Sequence, residues 1–461
     1  MNNKIVSSRK GKTTFALIGY YLILCMVYAF WLSPTYSYQG FSLSASINTF
    51  TIGLVTAITF SFFVSAVLER GNMSDNTLSF LILLYFYPQI VLYAFDLNDN
   101  LYFLYVTLYC TFLIIINNNL HFQKSKFRHE ERLNLFEVII VLLGLAMVMI
   151  SGAYSGFRVS FDLSDFYEYR FEVRELSMPT ILKYILNWAR TILPIGLTYA
   201  LISKRKLLVI FTMVAQVLCF SFDGKKSALF MFVLAFAVAY LYKPEHMKKI
   251  PAMMCLLCGL VFVEKILRDG DSFVGKHIIR RMMFVPPYLG WAYYDYFSHN
   301  ELDLLRSSIL RWVGFKSPYE EQIPRLIGRL YYTSSSTGAV NANTGLCGDA
   351  FSNFGWYSLL VYPLMNVVIF KIIDKYSEGV DERLKIIISL TIAYSFLSGS
   401  FFSVLLTNGV LLIILLLMLL PKDSSGSSKE SIIWNRGYYE NFTHQLQLCW
   451  NGFTQNNGKS S

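Results

Sequence analysis

Cations and aromatic rings crowd three segments that hydropathy leaves outside the apolar runs. In the first, Arg280 and Arg281 precede Pro286-Pro287, and Trp291, Tyr293, Tyr294, Tyr296 and Phe297 follow. Paired guanidiniums suit a phosphate or diphosphate, because each is a fixed fork of N–H donors that stays charged. Rings alternating with polar positions are one way to hold sugars. They are equally the pattern of a membrane-interface belt, and both readings stand. In the second segment Tyr167, Arg170 and Arg174 lie among Glu168, Glu172 and Glu175. Residues three and four apart share a helix face, so these side chains form either an anion-binding ridge or ion pairs with the glutamates. Phe157, Phe161, Phe166 and Phe171 recur at rough helical spacing, which fits an amphipathic helix lying on a membrane. The third segment is the turn Asp223-Gly224-Lys225-Lys226. Lysines at a helix N-terminus are electrostatically disfavoured, so an anion is expected beside Lys225 and Lys226, either Asp223 or a ligand phosphate.

A further stretch runs from Thr337 to Trp356. Gly338, Gly345 and Gly348 imply tight turns with exposed amides. Asn341, Asn343, Thr344 and Asp349 offer hydrogen-bonding groups suited to hydroxyls. Asp349 reads either as a cap on the following helix or as a substrate contact. Histidine is scarce, six in all. His299 is a solvated side chain or a base. No nucleotide-binding Gly-rich pattern, zinc-ligand cluster or Ser-His-Asp constellation stands out, so neither metal nor cofactor is expected. Cys255-x-x-Cys258 lies in an apolar run and reads as two small core residues.

The elements that must position these groups follow from composition. Of 461 residues, 54% are hydrophobic and 15% charged, against roughly a quarter charged in soluble domains. Mean hydropathy is +0.44. This excludes a disordered chain and argues against a soluble multidomain enzyme; the expected class is an all-α polytopic membrane protein, since each lipid-exposed backbone amide must be satisfied within its own segment. Twelve spans are expected, over 14–32, 47–68, 78–95, 101–118, 135–151, 182–202, 207–222, 227–242, 250–267, 354–371, 384–399 and 401–420. The net charge of +10 then reflects basic loops and anionic ligands and does not call for nucleic acid. Lys4, Arg9, Lys10 and Lys12, and later Lys204 to Lys206 by way of Arg205, fall on one side with other basic short loops. That places both termini in the cytoplasm. Two basic segments are then periplasmic: a smaller loop, 153–181, and a large one, 268–353. One membrane domain, 1–420, is followed by a polar cytoplasmic tail, 421–461. The two halves differ in loop length, which counts against a transporter built from repeats.

Taken in order, these blocks resemble the Wzy-type O-antigen polymerases, also called oligosaccharide repeat-unit polymerases. The likeness rests on Asn343-Thr344-Gly345 through Gly348-Asp349-Ala350-Phe351 to Phe354-Gly355. It rests also on Arg281 to Pro286 followed by Tyr293-Tyr294 and Phe297, on Gly224-Lys225-Lys226-Ser227, and on Tyr167-x-x-Arg170. The resemblance implies a membrane-embedded glycosyltransferase in the bacterial inner membrane with its active face in the periplasm. It would use undecaprenyl-pyrophosphate-linked oligosaccharides, moving the growing chain onto the next lipid-linked unit, with a polysaccharide chain-length regulator as partner. Arg280 and Arg281, with Arg170 and Lys226, are expected to stabilise diphosphate charge. Arg174, Lys225, Tyr167, Asn341, Asn343, Tyr293 and Tyr294 are expected to bind substrate. Asp349, Glu172 and His299 are the candidate bases. The rival readings are a lipid-linked oligosaccharide flippase, the O-antigen ligase branch and a non-catalytic scaffold. The histidine motif of the ligases is absent around His299.

Overall fold

Long apolar runs satisfy their own backbone only as helices, and the described residues form helices and no strand. The structure is a computed structural model that describes residues 2–123, 135–157, 178–223, 226–268, 270, 272–331 and 341–420. The expected tail, 421–461, lies outside the described residues, as do 158–177 with Tyr167, Arg170, Glu172 and Arg174.

In chain order the helices are α1 (Gly11–Gln39), α2 (Ile47–Leu68), α3 (Met73–Leu97), α4 (Asn100–Asn119), α5 (Leu135–Ser155) and α6 (Thr180–Ile202). There follow α7 (Lys206–Asp223), α8 (Lys226–Leu241), α9 (Ile250–Leu267), α10 (Val285–His299), α11 (Ile323–Tyr331) and α12 (Leu346–Phe354). The last are α13 (Ser358–Tyr376), α14 (Glu382–Ser398), α15 (Phe401–Leu406) and α16 (Val410–Leu419). Among the described residues nine helical stretches are long and apolar enough to cross a membrane, α12 with α13 and α15 with α16 each counting as one, which makes the chain a multi-pass membrane protein. The sequence reading expects twelve. The other three expected spans fall on the shorter helices α7, α8 and α14. At 1.5 Å per residue, the 16 residues of α8 reach about 24 Å, short of a hydrocarbon core of about 30 Å.

Position in the bundle separates these helices more than hydropathy does. Every residue of α3 from Met73 to Ala94 is buried, so α3 is the central post, packed on α13 and α14. Only 17% of the residues of α9 are buried, with Leu256, Ile266 and Leu267 turned outward. A helix apolar all round belongs inside; one apolar and uncovered needs lipid. Cys258 is buried and Cys255 half-buried where α9 packs on α1, and both are free thiols.

The segment 268–353 is not an open loop. Pro286-Pro287 are expected to break a helix, yet the helix runs through them. The preceding turns, Gly275–Phe284, are π-helical, and the Val285 N–H reaches back to the Arg280 carbonyl. The prolines then occupy the first turn of α10, where a missing N–H costs little. The same device recurs at Tyr28–Leu32 before Pro34 and at Ile82–Phe86 before Pro88. Most of α10 is buried, Tyr288, Tyr293, Tyr294 and Phe297 included. It packs on α12, and Tyr102 of α4 donates its hydroxyl to the Pro287 carbonyl at 3.3 Å. The aromatic run after Pro287 is therefore interior to the helical body.

Candidate functional site

A cavity of about 1040 Å³ opens where α6, α8, α10, α12 and α14 approach one another. It exceeds the usual span for a drug-sized ligand, roughly 300–1,000 Å³. Its floor is a polar stripe on α14: Thr391, Tyr394, Ser395 and Ser398. These recur three and four residues apart and so share a face. Ser400, Ser403 and Asn408 continue the wall past the break at Gly399. Asn187, Arg190 and Thr191 enter from α6, and Ala228 and Met231 from the start of α8. The loop between α10 and α11 closes the remaining side with Arg306, Arg311, Lys316 and Tyr319. Hydroxyl and amide side chains outnumber apolar ones on these walls; cations come from two directions, and the carboxylates Asp303, Glu320, Glu321 and Asp349 match them in number. Such a lining is chemically suited to a hydroxyl-rich ligand.

Of the residues expected from sequence, the cavity brings together Tyr293, Asn343 and Asp349. Tyr293 donates its hydroxyl to the Ala342 carbonyl at 2.9 Å, and the Ala342 N–H donates to the Pro324 carbonyl at 2.8 Å. The motif segment is thereby pinned between α10 and α11, leaving Asn343 exposed to the cavity. Burial, and then the nearby Asp349 charge, push the Tyr293 hydroxyl above the ordinary tyrosine range, which keeps it a donor. Gly345 sits where this segment meets the end of α14: a Cβ there would lie 2.0 Å from the Phe396 carbonyl oxygen and 2.7 Å from that of Gly399. Only glycine lets these backbones meet.

Asp349 is buried, and its carboxylate is already engaged. Oδ2 accepts the Phe401 N–H at 2.8 Å and Oδ1 the Asn353 amide at 3.3 Å. The sequence reading offers Asp349 as cap of the following helix. Instead it caps α15, across the cavity wall, while its own helix α12 starts at Gly345 without a side-chain cap.

The other expected residues lie elsewhere. Arg280 donates Nη1 to Gln39 Oε1 at 2.6 Å and stacks over the Tyr36 ring at 4.6 Å. It therefore clamps the end of α1, and neither it nor exposed Arg281 lines the cavity. His299 is exposed at the end of α10, with Nδ1 3.0 Å from the Asp295 carbonyl. Tyr294 packs between Tyr102, at 5.0 Å, and Phe351, at 4.5 Å. Asn341 is exposed beyond the cavity wall. Lys225 and the side chain of Lys226 lie outside the described residues. Among the described residues no group of three His, Cys, Asp or Glu side chains could hold a metal ion.

Sequence reasoning missed the α14 stripe; it read the basic large loop as suited to an anion without singling out Arg306, Arg311 or Lys316, and gave Arg190 no site role. The stripe carries a signal, hydroxyls at helical spacing inside an apolar run. So does Arg190, a cation within a span, which is costly unless it serves a purpose; its Nη1 donates to Asn187 Oδ1 at 2.6 Å. Comparison with protein-family models, characterised proteins and solved structures finds no match to this chain.

Proposed function

We propose that this chain is an oligosaccharide repeat-unit polymerase of the Wzy type, acting on undecaprenyl-pyrophosphate-linked units at the periplasmic face of a bacterial inner membrane. The observation that carries the reading is the cavity. It is large and lined by hydroxyls and amides, with Arg190, Arg306, Arg311 and Lys316 set among the carboxylates Asp303, Glu320 and Glu321, and with Asn343 and Asp349 of the motif stretch in its wall. Transfer from a diphosphate needs charge stabilisation on the leaving group more than a strong base, and guanidiniums supply it. Position in the cavity favours Arg190, Arg311 and Lys316 for this task over Arg280 and Arg281, Arg306 being held by Glu301 and by the Asp303 and Leu302 carbonyls. Twelve spans with both termini cytoplasmic belong to the same proposal. On it, the cavity opens outward, and the basic end of α14 with Arg383 and Lys385 faces the cytoplasm. A chain-length regulator is the proposed partner.

Deleting the gene and resolving lipopolysaccharide on a gel tests the reading. A lost polymerase leaves cores capped with one repeat unit, a lost ligase leaves bare cores, and a lost flippase leaves no surface repeats. Purified protein given lipid-linked units without nucleotide sugar is expected to build polymer; the absence of polymer defeats the proposal.

A further inference from the structure

Between Asp303 and Ser317 the chain leaves the helical body and returns to its starting point. The neck is closed by one buried carboxylate. Asp303 Oδ1 accepts the Ser317 hydroxyl at 3.0 Å, and Oδ2 accepts the Ser307 N–H at 2.9 Å and the Ser307 hydroxyl at 2.6 Å. The Asp303 N–H donates to the Ser352 carbonyl of α12 at 2.9 Å. Asn353 Oδ1 takes the Leu305 N–H at 2.8 Å. Leu304 and Leu305 adopt φ of 51° and 63°, a left-handed conformation that leucine avoids unless its surroundings impose it. Arg306 adds a strut, donating to the carbonyls of Asp303 at 2.9 Å and Leu302 at 2.7 Å. These bonds make a closed-neck loop of the Ω kind.

The tip has the opposite character. On the turn Leu310–Val313, Trp312 is 82% and Val313 74% exposed, and Phe315 just beyond is 55% exposed. Arg311 and Lys316, both exposed, flank them. A fixed neck presenting bare apolar side chains does not suit water. An indole with neighbouring apolar groups, bracketed by cations, matches the headgroup region of a bilayer containing anionic lipid. Charge complementarity selects lipid phosphate as the occupant, and the helices of the same chain already place it in a membrane.

We propose that loop 303–317 dips Trp312, Val313 and Phe315 into the bilayer beside the cavity, with Arg311 and Lys316 on lipid phosphates, so that the cavity opens sideways onto the headgroup plane. Arg311, Phe315 and Lys316 also line the cavity; the wall of the cavity and the membrane contact are one loop. The entrance role rests on the polymerase reading: a lipid-borne diphosphate reaches the cavity without leaving its leaflet.

The test places an environment-sensitive fluorophore at Val313→Cys in the full chain, reconstituted in vesicles of phosphatidylethanolamine and phosphatidylglycerol. Wild-type protein treated with the same reagent corrects for native thiols. Lipids bearing a nitroxide near the top of the acyl chain are expected to quench the probe, and aqueous iodide to quench it little. Stronger quenching by iodide places the tip in water and overturns the proposal. Protection from both quenchers places it under protein, a second copy or a partner, and also overturns it. This readout needs no activity, so it stands apart from the polymerase reading. The Trp312→Ser, Val313→Ser double variant leaves the cavity lining intact. It is expected to raise KM for the lipid-linked unit roughly tenfold with kcat held. An unchanged KM overturns the entrance role, whereas a wild-type protein that makes no polymer defeats only the polymerase reading.

Discussion

The carboxylate of Asp349 accepts the backbone N–H of Phe401 at 2.8 Å, joining the motif stretch to the start of α15 across the cavity wall. An asparagine keeps an acceptor for that N–H; an alanine leaves it buried and unpaired, at a cost of about 1–3 kcal/mol. Asp349→Asn is therefore expected to keep most polymerisation, and Asp349→Ala to lose thermal stability and activity together. A hundredfold or greater fall for Asp349→Asn at wild-type melting temperature would instead assign the carboxylate to the chemistry.

The cavity cations divide by task. Arg306 braces the loop neck, whereas Arg311 and Lys316 are exposed at its tip. Charge-assisted hydrogen bonds contribute about 1.5–3 kcal/mol, so removing Arg311 and Lys316 together should lower kcat/KM roughly 10- to 100-fold. Arg280→Ala, outside the cavity, should lower it far less and should show instead as a lower melting temperature, through the lost clamp on Gln39 and Tyr36. Kinetics with purified lipid-linked units, run beside thermal melts of all three proteins, separate the two outcomes.

Gly345 has a sharper prediction. Its missing Cβ leaves room for two carbonyl oxygens of the α14 end, and backbone does not yield as a flexible side chain does. Gly345→Ala should abolish accumulation of folded protein in the membrane. Gly71→Ala is the contrast: φ is +74° and the surrounding space is open, so only the left-handed strain of about 1–2 kcal/mol applies. Detergent-resistant, monodisperse protein yield reads the difference.

A pH dependence follows at the opposite end of α14. Burial raises the Asp381 carboxyl, but hydrogen bonds from the Arg383 side chain and N–H more than offset this, and the net shift is below the ordinary aspartate value. The contacts are 2.8 Å from the N–H, 3.0 Å from Nε and 2.7 Å from Nη2. A lowered folded value means the pair stabilises the protein above the unfolded value of about 3.9, and the gain fades as pH falls through the folded value. Melting temperature should fall between neutral pH and the acid range, and Asp381→Asn should flatten that slope.

The helical class was legible because apolar length alone dictates it, and the expected spans fall on helices, 401–420 with a break between α15 and α16. Span number was less so, because α8 and α14 are apolar but short, and hydropathy measures composition better than reach. At the site, Asn343 and Asp349 were legible from type and setting. Arg280 lies against the Tyr36 ring and Gln39, outside the cavity, and a cation before an aromatic run reads alike in either setting. The α14 stripe was present as Thr391, Ser395 and Ser398 yet went unread, since hydroxyls barely lower the hydropathy of a run. The loop tip was hidden for another reason: nothing local in Trp312-Val313 says that a carboxylate at Asp303 will hold it outward.

The wide turns before Pro34, Pro88 and Pro286 act as phase shifts in the helical repeat. One extra residue taken into a turn swings everything downstream by about 100° around the axis. Tyr288, just past the widened turn before Pro286, is buried. Proline marks the place, since it has no N–H to claim the carbonyl that the widened turn displaces. A stretch that looks like a surface belt when counted residue by residue is thus rotated into the interior, where its rings press against the central post.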